Sequence, residues 1–509
     1  MIDLTIAQIA QIVGGQLVDI SAEDAAQRHV TGTVEFDSRK LTPGGLFLAL
    51  PGARSDGHDH AAAAIAAGAV AVLAARPVGV PAIVVAPRRQ GGAQGQLAGV
   101  LEHDTDGSGA AVLGALAALA SVVARQLASQ GLTIIGITGS SGKTSTKDLV
   151  AAVLDPLGQV ISPPGSFNNE LGHPWTVLRA TPETDYLILE MSARHRGNIA
   201  ELAAIAAPDI GVVLNVGTAH LGEFGSRQAI AATKAELPQA IPCTGVAVLN
   251  VDDPAVAAMA ELTAARVVRV SRAATTDSGP SDVWAGPASL DDLARPSFTL
   301  HTGGMFQTGA VEVHLGVAGE HQVANALCAA AVGLVSGASL EHIAAALHGA
   351  RPVSGHRMQL TTRSDGVTVI DDAYNANPDS MRSGLQALAW IAHRGGQRRR
   401  SWAVLGEMGE LGDDAITEHD RIGRLAVRLD VSRLVVIGMG RSMSAMYHGA
   451  VMEGSWAGEA TMVADTAAAL ALLQAELQPG DVVLVKASHS AGLWMLAEAL
   501  VGSDNPGHT

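Results

Sequence analysis

Near the start of the chain, apolar residues fall at Ile6, Ile9 and Val13, the spacing of one helical face, and Gly14 and Gly15 follow as a stop signal. Short apolar runs at 46–50 and 69–73 have the length of buried strands. Between 87 and 109 the periodicity vanishes and Gly, Gln, Asp and Ser dominate, the texture of a linker or a surface insertion. A helical pattern over 110–127 leads into an apolar run at 133–138. Further apolar runs at 186–191, 211–216, 246–251 and 267–270 are separated by helical segments. Strands alternating with helices predict a mostly parallel sheet covered by helices. The pattern weakens over 272–310, where a few antiparallel strands are expected, and recovers in helices at 321–335 and 340–347. Beyond Arg351, Ser364-Asp365-Gly366 sits between extended runs at 358–362 and 367–371, a hairpin signal. Strands at 402–406, 434–438 and 482–486 then alternate with helices at 378–392, 414–429 and 466–477. The fold class expected is α/β in three domains. These are an N-terminal α/β domain over 1–108 (87–109 being linker or insertion), a central domain with a mostly parallel sheet over 109–349, and a Rossmann-like C-terminal domain over 350–509.

Length and composition narrow this picture. A chain of 509 residues has room for three domains of ordinary size, and 48% hydrophobic against 16% charged residues excludes a disordered chain. The long uncharged runs 109–124 and 323–340 are Ala-rich, and Asn325, Gly333 and Gly337 interrupt the second, so both read as core helices rather than membrane spans. The first basic residue is Arg28, too late for the basic start of an export signal. Cys243 and Cys328 have no metal-ligand spacing and are expected to be reduced, which predicts a cytoplasmic location. A net charge of −16 argues against nucleic-acid binding but leaves room for one small anion in a local pocket.

The strongest chemical signal is Gly139-Ser140-Ser141-Gly142-Lys143-Thr144-Ser145, placed between the 133–138 strand and a helix. Glycines let backbone N–H groups approach phosphate oxygens, the helix N-terminus adds partial positive charge, and Lys143 adds a full one at the β- and γ-phosphates. Thr144 offers a hydroxyl to Mg²⁺. The usual motif has a glycine where this chain has Ile137, so the loop is a shortened G-x-x-G-K-T. A plain Ser/Gly turn would share the string but not the strand–loop–helix context. Such a loop does not name a reaction, because kinases, GTPases, motors and ligases all use one. Glu190 closes an apolar run at the C-terminal end of a strand, where ligands gather in such sheets, and is expected to hold Mg²⁺. An ordinary strand-end acid is the alternative. On residues alone, His220 is a structural histidine and Lys234, in a helical segment at 227–237, a solvated lysine.

The strings G-I-T-G-S-S-G-K-T (136–144), S-F-N-N-E-L-G-H-P (166–174), N-V-G-T-A-H-L-G-E-F-G (215–225) and G-E-H-Q-V-A-N (319–325) resemble, in this order, motifs of the Mur ligases. These are ATP-dependent amide ligases that build the peptide stem of bacterial peptidoglycan. Three further strings resemble the branch of the family that adds D-alanyl-D-alanine: D-D-A-Y-N-A-N-P-D-S (371–380), V-L-G-E-M-G-E-L-G (404–412) and F-D-S-R-K-L-T-P-G (36–44). The resemblance spans roughly 37–500, apart from 87–109 and 272–310. It departs at Arg194, where the family commonly has Asn, and at His489, where it more often has Arg. A sibling ligase that reads diaminopimelate shows D-N-P-R, which is absent here. A folylpolyglutamate synthetase would share the phosphate loop but not 371–380, and an ATPase assembly module would leave the N-terminal domain unexplained.

The resemblance implies that ATP phosphorylates the terminal carboxylate of a UDP-MurNAc-tripeptide, whose third residue is diaminopimelate or lysine, and that D-Ala-D-Ala then attacks the acyl phosphate. It implies a monomer with no nucleic-acid partner. Gly139, Ser140, Ser141, Gly142, Lys143, Thr144 and Ser145 would cradle the phosphates, Asn325 the adenine, and Arg357 and Asp372 would reach the nucleotide from the C-terminal domain, which must close over it. Thr144 and Glu190 would hold one Mg²⁺. His220 and Lys234 match the positions of a second, with Lys234 as its N6-carboxylated (carbamylated) form. Lys143, His220, Lys234 and Arg357 form the implied catalytic set. Asn168 and Asn169 would face the tripeptide, Ser38 and Arg39 the UDP, and Tyr374, Asn375 and Asn377 the dipeptide. For Arg39 a surface ion pair is the alternative.

Overall fold

A computed structural model describes residues 1–53, 55–87, 101–217, 221–394, 398–454 and 459–502. Most of the expected linker (88–100) and His220 lie outside these residues. Among the described residues there are three main sheets, of five, ten and six strands.

The first sheet runs Gln16–Val18, Ala82–Val84, Ala69–Ala74, Gly45–Leu48, Val34–Glu35, parallel except where Gln16–Val18 joins. Against it packs the opening helix Ile6–Val13, whose start is fixed by reciprocal hydrogen bonds between Thr5 and Gln8. The central sheet places Thr133–Thr138 between Ile210–Val213 and Tyr186–Glu190, all parallel. Its Ile, Val and Leu side chains are buried on both faces, as a sheet covered by helices requires. The C-terminal sheet runs Gln359–Thr362, Thr368–Asp371, Val482–Lys486, Ser401–Leu405, Arg433–Ile437, Ala460–Val463, and its first pair is the expected hairpin.

The weak stretch after residue 271 forms more regular structure than its pattern suggested. Val283–Ala285, Pro296–Thr302 and Gly309–His314 extend the central sheet, the last two pairing over six residues. In Gly309–His314 only Val313 is fully buried, so the hydrophobic alternation that marks a strand is faint. The helix Ser108–Ala128 is apolar and long enough to cross a membrane, yet Leu116, Leu119 and Val123 are fully buried in one core with Ile6 and Ile9.

Two contacts position the outer sheets. Phe36, Phe167 and Trp175 cluster in tilted and edge-on contacts with centroids 4.9–6.3 Å apart, and Trp175 Nε1 donates to Val34 O at 2.8 Å. This brings the 36–44 string beside the 166–174 string. On the other side, the Gly222 and Gly412 backbones meet so closely that a Cβ on Gly222 would lie 2.6 Å from Gly412 N. Trp390 Nε1 donates to Asp291 O at 2.9 Å.

Beneath the loop at 166–169, His173 is fully buried, and neither ring nitrogen has a hydrogen-bond partner among the described residues. Burial pushes its pKa down from 6.5 to about 4. The unfolded chain therefore takes up this proton first as pH falls. Stability that is complete above about pH 6.5 is lost progressively toward pH 4, by about 3 kcal/mol from this group. The thermal unfolding midpoint of the parent should fall more steeply across that window than that of His173→Leu. Parallel slopes would contradict the assignment.

Candidate nucleotide and acyl-transfer site

The strand Thr133–Thr138 ends at the phosphate loop, and the helix Lys143–Leu154 begins at Lys143. Gly142 turns the chain at φ +84°, a conformation that costs a side-chain-bearing residue about 1–2 kcal/mol. A Cβ there would also stand 2.7 Å from Asn325 Oδ1. The loop is held from behind by Asn215, whose Oδ1 accepts from the N–H groups of Ser140 and Ser141 at 3.0 Å each. Those two N–H groups are engaged within the protein, whereas the helix start at Gly142 has no side-chain cap. Lys143 is half-buried, and its Nζ donates back to Gly139 O at 2.8 Å. Burial lowers its pKa, and the nearby Glu190 carboxylate opposes that shift.

Glu190 is fully buried at the end of its strand. Its Oε2 accepts from Thr144 Oγ1 and Ser166 Oγ, each at 3.2 Å, and lies 3.5 Å from Asn168 Nδ2. Its Oε1 is buried with no hydrogen-bond partner among the described residues. A buried carboxylate oxygen without a donor is costly unless a cation completes it. A carboxylate and two hydroxyls form the hard oxygen set that Mg²⁺ prefers, so these residues fit the ion.

Lys234 is buried at the end of the helix Arg227–Lys234 and makes no hydrogen bond or ion pair with a described residue. Burial, with the charge of Lys143 second, drives its pKa well below the usual lysine value. The solvated lysine that its helical context suggested is therefore absent.

From the C-terminal domain, Arg357 Nη2 donates to Thr144 Oγ1 at 3.3 Å, and its guanidinium lies 4.1 Å over the ring of Tyr374. Its Nε is buried without a partner among the described residues. Asp372 is buried and receives Lys486 Nζ at 2.5 Å and Met358 N at 3.1 Å. Between the two domains lies a cavity of about 210 Å³ lined by Ser141, Gly142, Asn325, Arg357, Asp372 and Lys486 among others. Asn325 Nδ2 donates to Gln322 Oε1 at 2.8 Å.

The remaining expected residues divide. Asn168 belongs to the Glu190 cluster and is held by Ser192 Oγ at 2.9 Å. Asn169 Oδ1 accepts from Gly172 N and orders its own loop. Asn377 caps the helix Pro378–His393, and Asn375 Oδ1 accepts from Ala376 N while its carbonyl accepts from Lys486. Tyr374, Asn375 and Asn377 do not line the cavity. Arg39 is exposed and pairs twice with Asp37 at 2.9 Å, the surface ion pair that was its alternative, with Ser38 in the same turn. His489, the departure near the end, sits 5.2 Å from the Tyr374 ring. Three contributors were missed: Asn215, Ser166 and Lys486. Asn215 and Ser166 lay in quoted strings, and Lys486 carried a positional signal as a cation at the C-terminal end of the 482–486 run.

A phosphate loop on a parallel sheet, faced across a cavity by an arginine and a carboxylate of a second domain, defines a nucleotide-dependent enzyme whose site is assembled between domains. Residues 31–119 match the Mur ligase family catalytic domain, 137–333 the Mur ligase middle domain, and 356–489 the Mur ligase glutamate ligase domain. The chain is 73% identical to the UDP-N-acetylmuramoyl-tripeptide--D-alanyl-D-alanine ligase of Mycobacterium bovis, covering 100% of this chain and 99% of that one. It is 33% identical to the Escherichia coli ligase of the same name, covering 98% and 99%. Among solved structures it is similar to MurF from Acinetobacter baumannii (30% identity, TM-score 0.78, covering 98% and 99%) and to MurF ligase from Thermotoga maritima in complex with ADP (25%, 0.71, covering 93% and 98%). The chain belongs to the Mur ligase family.

Gly142→Ala should weaken ADP binding at least about tenfold, because strain and the contact with Asn325 both fall on the loop. Calorimetric titration measures it. Unchanged affinity would mean the loop does not hold the phosphates.

Proposed function

We propose that the chain joins D-alanyl-D-alanine to UDP-MurNAc-tripeptide with ATP, through an acyl phosphate, to give the UDP-MurNAc-pentapeptide precursor of peptidoglycan. The observation that carries this reading is 73% identity over full length to ligases of that name, together with a site that faces a phosphate loop with a second domain's arginine. A carboxylate is a poor electrophile. In the first step its oxygen forms a bond to the γ-phosphorus and the bond to the departing ADP oxygen breaks. In the second, the dipeptide amine attacks the acyl carbon, the C–O bond to phosphate breaks, and the amine gives up a proton. Both steps gather negative charge on oxygens, so fixed cations and positioning supply the catalysis.

Lys143 and the N–H groups of Gly142 through Ser145 hold the β- and γ-phosphates. Thr144 and Glu190 would hold Mg²⁺, which when bound would neutralise charge on the transferring phosphoryl group. Asn325 faces the adenine. Arg357 reaches the same phosphates from the opposite side, and Asp372 anchors the segment that carries it. Asn168 orients the tripeptide carboxylate beside Glu190. Lys234, whose charged form burial disfavours, would take up CO₂ as a carbamate with release of a proton, and with His220 would hold a second Mg²⁺. Ser38 and Arg39 meet the UDP end, Arg39 exchanging Asp37 for diphosphate. Tyr374 shapes the dipeptide side through its stack on Arg357. The reading includes a monomer in the cytoplasm.

Incubating the protein with ATP, Mg²⁺, UDP-MurNAc-tripeptide and D-Ala-D-Ala, omitting each in turn, and weighing the product should give UDP-MurNAc-pentapeptide only when all four are present. ATP hydrolysis without a pentapeptide, for either third residue, would reject this acceptor. Removing bicarbonate and CO₂ should lower the rate of the parent reversibly. An unaffected rate would reject the carbamate on Lys234.

A further inference from the structure

One turn beyond Thr144, the phosphate-loop helix carries an ion pair of a different kind. Lys147 and Asp148 are adjacent, both buried, and joined at 2.8 Å. Ser354, also buried, belongs to the segment that connects the central and C-terminal sheets. Its N–H donates to Asp148 Oδ2 at 3.1 Å, its Oγ donates to Asp148 Oδ1 at 3.2 Å, and the same Oγ accepts from Lys147 Nζ at 3.0 Å. Lys147 Nζ also donates to Pro163 O at 2.8 Å and Gly165 O at 3.3 Å, just before Ser166. Past Ser354 the partners change domain. His356 Nδ1 lies 2.7 Å from Asp371 Oδ2, and Met358 N donates to Asp372 Oδ1. Both His356 and Met358 adopt positive φ, at +59° and +49°, so the backbone on either side of Arg357 is held in a conformation L residues rarely adopt. Between the two anchors stands Gly355, with open space around its Cβ position.

We infer that Lys147, Asp148 and Ser354 form a socket that fixes the pivot of the C-terminal domain at Gly355 and thereby places Arg357 at the phosphate loop. They are positioning residues that act through Arg357. The geometry explains why the socket sits where it does. Thr144, which Arg357 touches, and Asp148, which holds Ser354, are four residues apart on one helix and so face the same way. The reach of Arg357 is therefore measured from the same helix that carries Lys143 and Thr144. The same ammonium also ties down the start of the loop that bears Ser166 and Asn168, so the socket links the arginine's approach to the order of the carboxylate-facing loop. This inference rests on the ligase reading for its activity readout.

Truncating either charge would leave the other buried and unpaired and put the fold at risk. The test therefore uses Ser354→Ala in a double-mutant cycle with Arg357→Ala, and Ser354→Cys, close in volume but a poor hydrogen-bond donor, as a second variant. Ser354→Ala should lower kcat about tenfold in the parent and less than about twofold in the Arg357→Ala background. Equal losses in the two backgrounds, or no loss in either, would overturn the inference. Small-angle scattering with a non-hydrolysable ATP analogue and Mg²⁺ gives a second readout, independent of the acceptor. The parent should compact and both Ser354 variants should compact less. Identical compaction would overturn the socket. A parent that compacts but forms no pentapeptide would reject the ligase reading and leave the socket standing.

Discussion

An α-helix cannot satisfy its own first N–H groups, and the helix from Lys143 to Leu154 presents those groups at the end of a core strand. Much of the site is arranged around that constraint. Asn215 consumes the two preceding N–H groups and stiffens the loop. Gly142 supplies the one backbone conformation that lets the helix start there. Thr144 on its first turn joins Glu190 and Arg357, and Lys147 and Asp148 on its second receive the interdomain segment. A single helix thus sets the distances among the phosphate-loop residues, the buried Glu190 carboxylate and the second domain's arginine.

Burial does the electrostatic work on this frame. Among the described residues, Glu190 lies at zero exposure with one oxygen unpartnered, and Lys234 lies buried without an ion pair. Each would be an error in a core built for stability alone, because an isolated buried charge or acceptor is expensive. In the proposed function both are completed by ligands. On the other side of the cavity, Asp372 and Lys486 satisfy each other at 2.5 Å, so the segment carrying Arg357 is held without borrowing charge from a ligand.

Much of the fold could be read in the sequence because a parallel sheet buried on both faces leaves continuous apolar runs, as at 133–138 and 482–486. The strands after residue 271 were faint because the buried positions of Pro296–Thr302 include Pro296 and Thr302, and in Gly309–His314 only Val313 is fully buried. At the site, the phosphate loop was legible because its glycine and lysine have a local reason to be there. Lys234 was not, since nothing in a helical R-Q-A-I-A-A-T-K says which face is buried, and only resemblance to a family pointed to it. At Arg39, Asn169 and Asn377 the structure shows local hydrogen-bonding roles that the strings alone do not spell out. Arg194, a departure from the family pattern, approaches Glu410 at 3.6 Å and Glu223 at 4.0 Å beside the Gly222–Gly412 contact, a pairing that no single string encodes.

The central claim is that the tripeptide carboxylate is phosphorylated on the phosphate loop before the amide forms. Its direct test is to label that carboxylate with ¹⁸O and weigh the inorganic phosphate released during ligation. The account predicts that each phosphate carries one oxygen from the carboxylate, because the C–O bond breaks when the amine attacks. Phosphate free of ¹⁸O, released in step with pentapeptide, would contradict an acyl phosphate and require another route to the amide.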